Sequence, residues 1–359
     1  MTEQILSPNV YAYENDQSFY SQGVSTTGLA VVGPTEKGAA YVPTDITSYS
    51  QFTAIFGSDT KSNYTAQTAY NYLQAGSSVK ITRVLGNGGW LYSSTKPLAA
   101  LVSGSKIVAV LSPTQNASSN ASFLSASLAV SGTYTDFNMM VSGGVYLSLF
   151  SSSVSVIPTS TKYLPKVLGT EVSYQTGSFF PYLMFGNFVT ASVQPTASVS
   201  GNFVSISTTC TFTSSNASGY DHASTPWVVA DSGIRLFKFH HLSDGTKTNR
   251  DIKVGIANIT KGVDSDTYST FDVVVRAWND TDRIPSIVEQ FIGVTLDPNS
   301  ANYIGKAIGD KYKQYNETQA KVIEYGDYAN NSNYIRVEVV DGVADGSTHP
   351  QLIPNGHEA

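Results

Sequence analysis

The sequence predicts an α+β / α/β protein: a discontinuous α/β domain that carries an inserted antiparallel β-sandwich or barrel domain. Three observations predict it. Two short apolar runs, GLAVVG (Gly28 to Gly33) and SVKITRVL (Ser78 to Leu85), flank helical patterns on the scale of one α/β unit. From Trp90 to about Val229 the chain is poor in charge and alternates polar with apolar residues. From near Ser232 the style of the first unit returns. The expected divisions are an extended N-terminal arm at 1–20 and a first part of the α/β domain at 21–89. An exposed β-rich insertion of one or two subdomains spans 90–230, the return spans 231–345, and a connector spans 346–359.

Each element has its own reason. In residues 1–20, Ile5, Val10, Tyr11 and Tyr13 favour extended backbone, and Pro8 forbids a helix. No turn folds this arm back, so it needs a sheet edge to pair with, in its own chain or a neighbour's. Gly28 to Gly33 reads as a buried strand, and PTEKG as the turn after it. ITSYSQFTAIFG closes on Gly57. The helix from about Tyr64 to Gln74 places Ala66, Ala69, Tyr70 and Leu73 on the face that packs on the sheet, and Gly76 stops it. Ser78 to Leu85 is the second buried strand of the same sheet, with Arg83 as its charged end.

In the middle block, strands are expected at 105–112, 122–132, 144–157, 180–193 and 202–213, with a short helix or loop at 161–170. In the return, RLFKFHH (235–241), DIKVGIANI (251–259) and YSTFDVVVRAW (268–278) read as strands, followed by IVEQFIGVTLD (287–297). Ser300 is the expected N-cap of a helix from Ala301 to Ile308. NYIRVEVV (333–340) is a further strand, and the turn-rich end after it caps nothing obvious.

Composition narrows the function. Charged residues are 13% of the chain and the net charge is −6, without the basic excess a nucleic-acid partner demands. The N-terminus lacks a basic stretch and an apolar core, and no run reaches the roughly 18 apolar residues of a membrane span. A soluble protein made in a cytoplasm, without direct membrane insertion, is expected. Gly33-Pro-Thr-Glu-Lys-Gly38 fails as a phosphate loop, because Ala39 and Ala40 stand where Lys and Ser/Thr must follow the second glycine. His240 and His241 are neighbours, so on a strand they point to opposite faces and do not share a metal. Asp280, Asp282 and Glu289 lack the spacing of a calcium loop and read as a solvated loop. Cys210 reads as a small apolar residue. No catalytic, cofactor-binding or metal-binding residue is assigned, and no enzyme activity is expected.

Four blocks in order resemble the contractile bacteriophage tail sheath proteins. SPNVYAYENDQS (7–18) is similar to that family's SPGVYxxE opening, with Asn9 in place of glycine. TTGLAVVGPTEKGAAYVPTDITSYSQFTAIFG (26–57) resembles the next block, marked by Gly28, Gly33, Pro34, Phe52, Phe56 and Gly57. QAGSSVKITRVLG (74–86) resembles the closing strand, marked by Arg83 and Val84. FDVVVRAWNDTDRIPSIVEQFIGVTLDPNSANYIGKAIGD (271–310) resembles the second conserved stretch, marked by Arg276, Asp297, Pro298, Ser300 and Tyr303.

The resemblance implies a structural subunit. Such proteins polymerise with themselves as stacked rings around a tail tube and contract to drive it through the host envelope. Their partners are further copies, the tube and baseplate proteins. Their place is the virion tail, assembled in the bacterial cytoplasm. Their inserted β domains face outward, and terminal arms such as Ile5 to Tyr13 add strands to neighbours. The family also carries a C-terminal domain that would begin where this sequence ends, and without that domain the chain is expected to be a soluble monomer that does not form a sheath alone. The alternative class is another virion structural protein or a receptor-binding, adhesive β-rich protein.

Overall fold

A polar seam joins two hydrophobic cores in the computed structural model of this chain. The structure describes residues 28–58, 64–84, 99–103, 106–113, 127–133, 136–143, 147–155, 159–168, 181–186, 222–225, 227–230, 234–281 and 283–354. The expected strand at 202–213, with Cys210, lies outside these residues.

The first core belongs to the α/β unit. It comprises β1 (Leu29–Gly33), β2 (Thr44–Ile46), α1 (Tyr49–Phe56), α2 (Tyr64–Leu73) and β3 (Val79–Arg83). The two glycine-bounded runs pair in parallel, Leu29 opposite Val79 through Gly33 opposite Arg83, and β2 joins β3 antiparallel on its other side. Ile46, Phe52, Phe56, Ala66, Ala69, Val79 and Ile81 form the core between sheet and helices. β1 is not the buried strand expected. Among the described residues it lies at the sheet edge, and the face carrying Ala30, Val32 and Lys80 is open, with Val32 66% exposed. Tyr70 is likewise exposed; it stands edge-on to Tyr49 instead of facing the sheet.

Helix α1 starts where the Ser48 hydroxyl accepts a hydrogen bond from Gln51 N. It ends at Gly57, whose φ of 89° and ψ of 177° suit only glycine, and where a Cβ would meet Glu36 Oε2 at 2.4 Å. Gly57→Ala is expected to destabilise the protein by about 1–3 kcal/mol, read as a lower thermal midpoint.

The middle block contains β4 (Ala99–Ser103), β5 (Lys106–Pro113), β6 (Ser127–Thr133), β7 (Asp136–Gly143), β8 (Leu147–Val154), α3 (Leu164–Leu168) and β9 (Pro181–Gly186). Among the described residues these strands form two three-stranded antiparallel sheets, β4-β5-β9 and β6-β7-β8. The alternation therefore marked strands correctly, although β4 and β7 were not expected. The segment at 161–170 contains a short helix; Leu164 is buried, and its N–H donates to Ser155 O just past the end of β8.

The second core follows. Its elements are β10 (His222–Ser224), β11 (Val228–Val229), β12 (Arg235–Asp244), a 3-10 turn (Thr246–Arg250), β13 (Ile252–Thr260), β14 (Thr270–Ala277), β15 (Ile287–Thr295), α4 (Ile304–Ile308), β16 (Tyr312–Asn316), β17 (Lys321–Tyr325), β18 (Ile335–Val339) and α5 (Asp341–Ala344). β12 pairs antiparallel with β10, β11 and β18, and β13-β14-β15 form a second antiparallel sheet. Phe237 and Phe239 of β12, Phe271, Val273 and Val275 of β14, Val294, Ile304, Ile308 and Val337 close one core. The Phe237 and Phe271 rings stack at 5.6 Å, which fixes how the sheets meet.

Three expectations change here. The return is not α/β in its own makeup: it is antiparallel, with two short helices and its own core. Ser300 is not an N-cap. Tyr303 bridges Thr295 in extended backbone and Thr295 N donates to Asn302 O, so the helix starts only at Ile304. The end of the chain is not idle either. Pro354 bridges Ala230, Ser269 N donates to Pro350 O, and Gln351 Nε2 donates to Asp264 O. Among the described residues, no helix is long and apolar enough to cross a membrane.

Candidate functional site

The sequence motifs land on framework positions. Gly33 packs so closely on Thr65 that a Cβ there would meet its Oγ1 at 2.3 Å, and Gly33 O accepts from Val84 N. Phe52 and Phe56 fill the first core; Gly28 has open space around it. Pro34 opens the loop that carries Glu36 and Lys37. Asp297, Pro298 and Ser300 form one turn: Asp297 accepts from Asn299 N and Ser300 N, and Lys306 Nζ donates to Pro298 O and Ser300 O at 2.7 and 3.1 Å. Tyr303 is buried, and burial pushes its hydroxyl up to about 12. Ile5, Val10, Tyr11 and Tyr13 lie outside the described residues.

Arg83 is no charged strand end. It is fully buried, its Nε donates to Thr35 O at 3.4 Å, and Asp244 is its counter-charge. Burial lowers its pKa, and the Asp244 charge opposes that. A guanidinium stays charged through such a shift.

Around Arg83 runs the seam between the two cores. Lys37 Nζ lies 2.9 Å from Asp251 Oδ2, and Lys247 Nζ lies 3.0 Å from Glu36 Oε2. Lys247 N donates to Glu36 O, and Ala40 N donates to Asp244 Oδ2 at 2.8 Å. Gly245, at φ 107°, lets the chain pass; a Cβ there would meet Glu36 O at 2.4 Å. His241 points Nε2 at Asp251 Oδ2 from 3.4 Å. His241 and Lys37 together hold the Asp251 carboxyl at about 2, against the upward push of burial. Residues more than 200 apart in sequence are thus clamped by charge.

Sequence reasoning missed this seam because each half looks like an ordinary polar turn. The available signal was charge itself: Glu36-Lys37 and the run Asp244, Lys247, Asp251 are dense charge in a charge-poor chain. The two neighbouring histidines do point to opposite faces of β12, His240 toward Glu338 and His241 toward Asp251.

Asp280 is not in a solvated loop. Its side chain is 2% exposed, and it lies 2.6 Å from both Lys253 Nζ and Arg276 Nε. Ser286 N donates to it at 2.7 Å, so it ties the turn between β14 and β15 to β13. Burial would raise its pKa, but the Arg276 and Lys253 contacts prevail and hold it at about 2. Asp280→Ala is expected to lose about 2 kcal/mol of stability at neutral pH, read by urea unfolding. Glu289 accepts from Ser332 Oγ and Asn333 N instead of meeting Asp280, and Asp282 lies outside the described residues. Among the described residues there is no group of three or more His, Cys, Asp or Glu suited to a metal ion.

The strand edges complete the picture. Among the described residues β1 and β15 are edge strands, and Val32, Ile287, Val288 and Ile292 expose apolar side chains along them. No protein-family model matches the chain, and no curated protein matches it.

Proposed function

We propose that the chain is a non-enzymatic structural subunit of a contractile phage tail sheath, polymerising around the tail tube and contracting to drive it through the host envelope. The observation that carries this reading is the order of four sheath-like blocks along the sequence, whose marking residues within the described regions serve framework roles. Arg83 is a buried strut, Asp297 to Ser300 a braced turn, and Phe52 and Phe56 are core. The seam supports the further reading of residues 21–89 and 231–345 as one discontinuous domain with 90–230 inserted. The exposed apolar edges of β1 and β15 suit contacts between copies. Tube and baseplate proteins are the other partners under this reading, and the virion tail is its place.

A second reading, another virion or adhesive β-rich protein, draws on the antiparallel sheets of 99–186 in a Ser/Thr/Tyr-rich stretch. One experiment separates them. The tail fraction of native particles is probed for the chain and imaged by electron microscopy, and the isolated chain is screened in parallel against glycans. The chain is expected in that tail fraction, in ordered collars around tubes. Glycan binding by a trimer that ignores tubes would overturn the sheath reading.

A further inference from the structure

Four titratable side chains stand in single file across β10, β12 and β18. Glu338 Oε2 lies 2.6 Å from His240 Nε2, and His240 Nδ1 lies 2.8 Å from His222 Nε2. His222 Nδ1 lies 3.6 Å from Asp244 Oδ1. The other Asp244 oxygen accepts from Ala40 N at 2.8 Å, across the seam. Strand pairing sets this order: His222 sits opposite Asp244, and Ser224 and Arg336 sit opposite His240 on its two sides.

Counting protons shows what the file can hold. Ionised Glu338 only accepts, so His240 Nε2 carries a hydrogen. With both rings neutral, His240 Nδ1 is bare and His222 Nε2 donates to it. His222 Nδ1 is then bare and faces the Asp244 carboxylate, acceptor against acceptor. Arg336 Nη2, 3.4 Å from His222 Nε2, meets another N–H. One added proton changes this. With the charge on His240, its Nδ1–H donates to the single lone pair of His222 Nε2, and the His222 hydrogen moves to Nδ1 opposite Asp244. Each contact along the file is then donor to acceptor.

We propose that this file is a pH-sensitive latch. Uptake of one shared proton by the His222–His240 pair draws Asp244 toward His222, loosens its hold on Ala40, and weakens the seam between residues 28–84 and the sheets after 234.

The surrounding charges set the pH at which it acts. Lys238 faces the file from β12 and lies 3.0 Å from Glu338; Arg336 faces it from β18, with the Tyr312 ring of β16 at 4.0 Å. Arg83 and Tyr41 stand on the Asp244 side. Burial pushes His240 down to about 3, against the Glu338 hydrogen bond that raises it, and Arg336, His222 and Lys238 add to the lowering. The His240 hydrogen bond and Lys238 hold Glu338 at about 2, against burial. His240 is therefore neutral at neutral pH. The unfolded chain binds the His240 proton more readily than the fold does. The contribution of His240 to stability is thus full above about pH 6.5 and is lost as pH falls toward about 3.

The test uses the full chain with isotope-labelled histidine, followed by NMR from about pH 7.5 to about 2.5. Amide exchange at Ala40, corrected for the intrinsic pH dependence, is measured alongside. His222 and His240 are expected to respond together to one proton, and Ala40 protection to fall roughly fivefold in acid. In His222→Gln both responses should vanish, while His349→Gln keeps them. Independent titration of the two rings in the unmodified protein would overturn the proposal. So would an unchanged Ala40 response in His222→Gln. The titration of the unmodified protein decides the matter even if a variant fails to fold.

Discussion

Replacing Arg83 with methionine is expected to destabilise the protein by about 3–5 kcal/mol in urea unfolding at neutral pH. Methionine fills a similar volume, so lost packing is a small part of that. The larger part is electrostatic. Arg83 is fully buried where the C-terminal end of β3 meets the seam, and Asp244 is its counter-charge. Without the guanidinium, Asp244 keeps its charge in a half-buried position, where Ala40 N donates to it, His222 lies 3.6 Å away and Arg336 is the remaining cation that acts on it among the described residues. Pairing Arg83→Met with Asp244→Asn should recover part of the loss, because the stranded carboxylate is removed too; the expected coupling is about 1–3 kcal/mol. A loss below about 1 kcal/mol for Arg83→Met would mean that the strut carries little of the seam.

The second large effect is expected at Phe271. Phe271→Ala should cost about 3–5 kcal/mol, measured in the same assay. Phe271 is fully buried in β14, the centre strand of its sheet, and stacks on Phe237 of β12 at an interplanar angle of 5°. Its removal opens a cavity between two sheets whose backbones are each held by ladders on both sides. Such a site collapses poorly, so the cavity persists. Phe271→Leu should recover much of the loss. If Phe271→Ala cost no more than an exposed substitution, the two sheets would not share the core described here.

These two residues differ in how far the sequence announced them. Phe271 sits in FDVVVRAW, a run that reads as a strand by its branched and aromatic residues alone. Arg83 reads from sequence as a polar strand end, because a lone arginine is more often solvated than buried. Its role depends on Asp244, which local pattern cannot connect to it. The same holds for Ser300, a sound N-cap by local rules. Pairing of Thr295 with Tyr303 keeps the chain extended past it and delays the helix to Ile304. Asp280 follows the same logic: its neighbours in sequence are polar, but Lys253 and Arg276 come from two adjacent strands.

The sequence by itself determined what depends on short-range physics. Glycine-bounded apolar runs set β1 and β3, the spacing of Ala66 and Ala69 set one face of α2, and alternation in a charge-poor stretch set antiparallel strands. Tertiary structure alone decided which elements share a core and which charges meet. That β1 is an edge strand, that the return has its own core, and that Glu36, Lys37 and Asp244 clamp the halves together all rest on contacts between distant residues. Hydrophobic periodicity reports which face of an element is buried, but it does not say against what. An ion pair between residues far apart in sequence leaves no local pattern, since its energy exists only once the fold has brought the charges together.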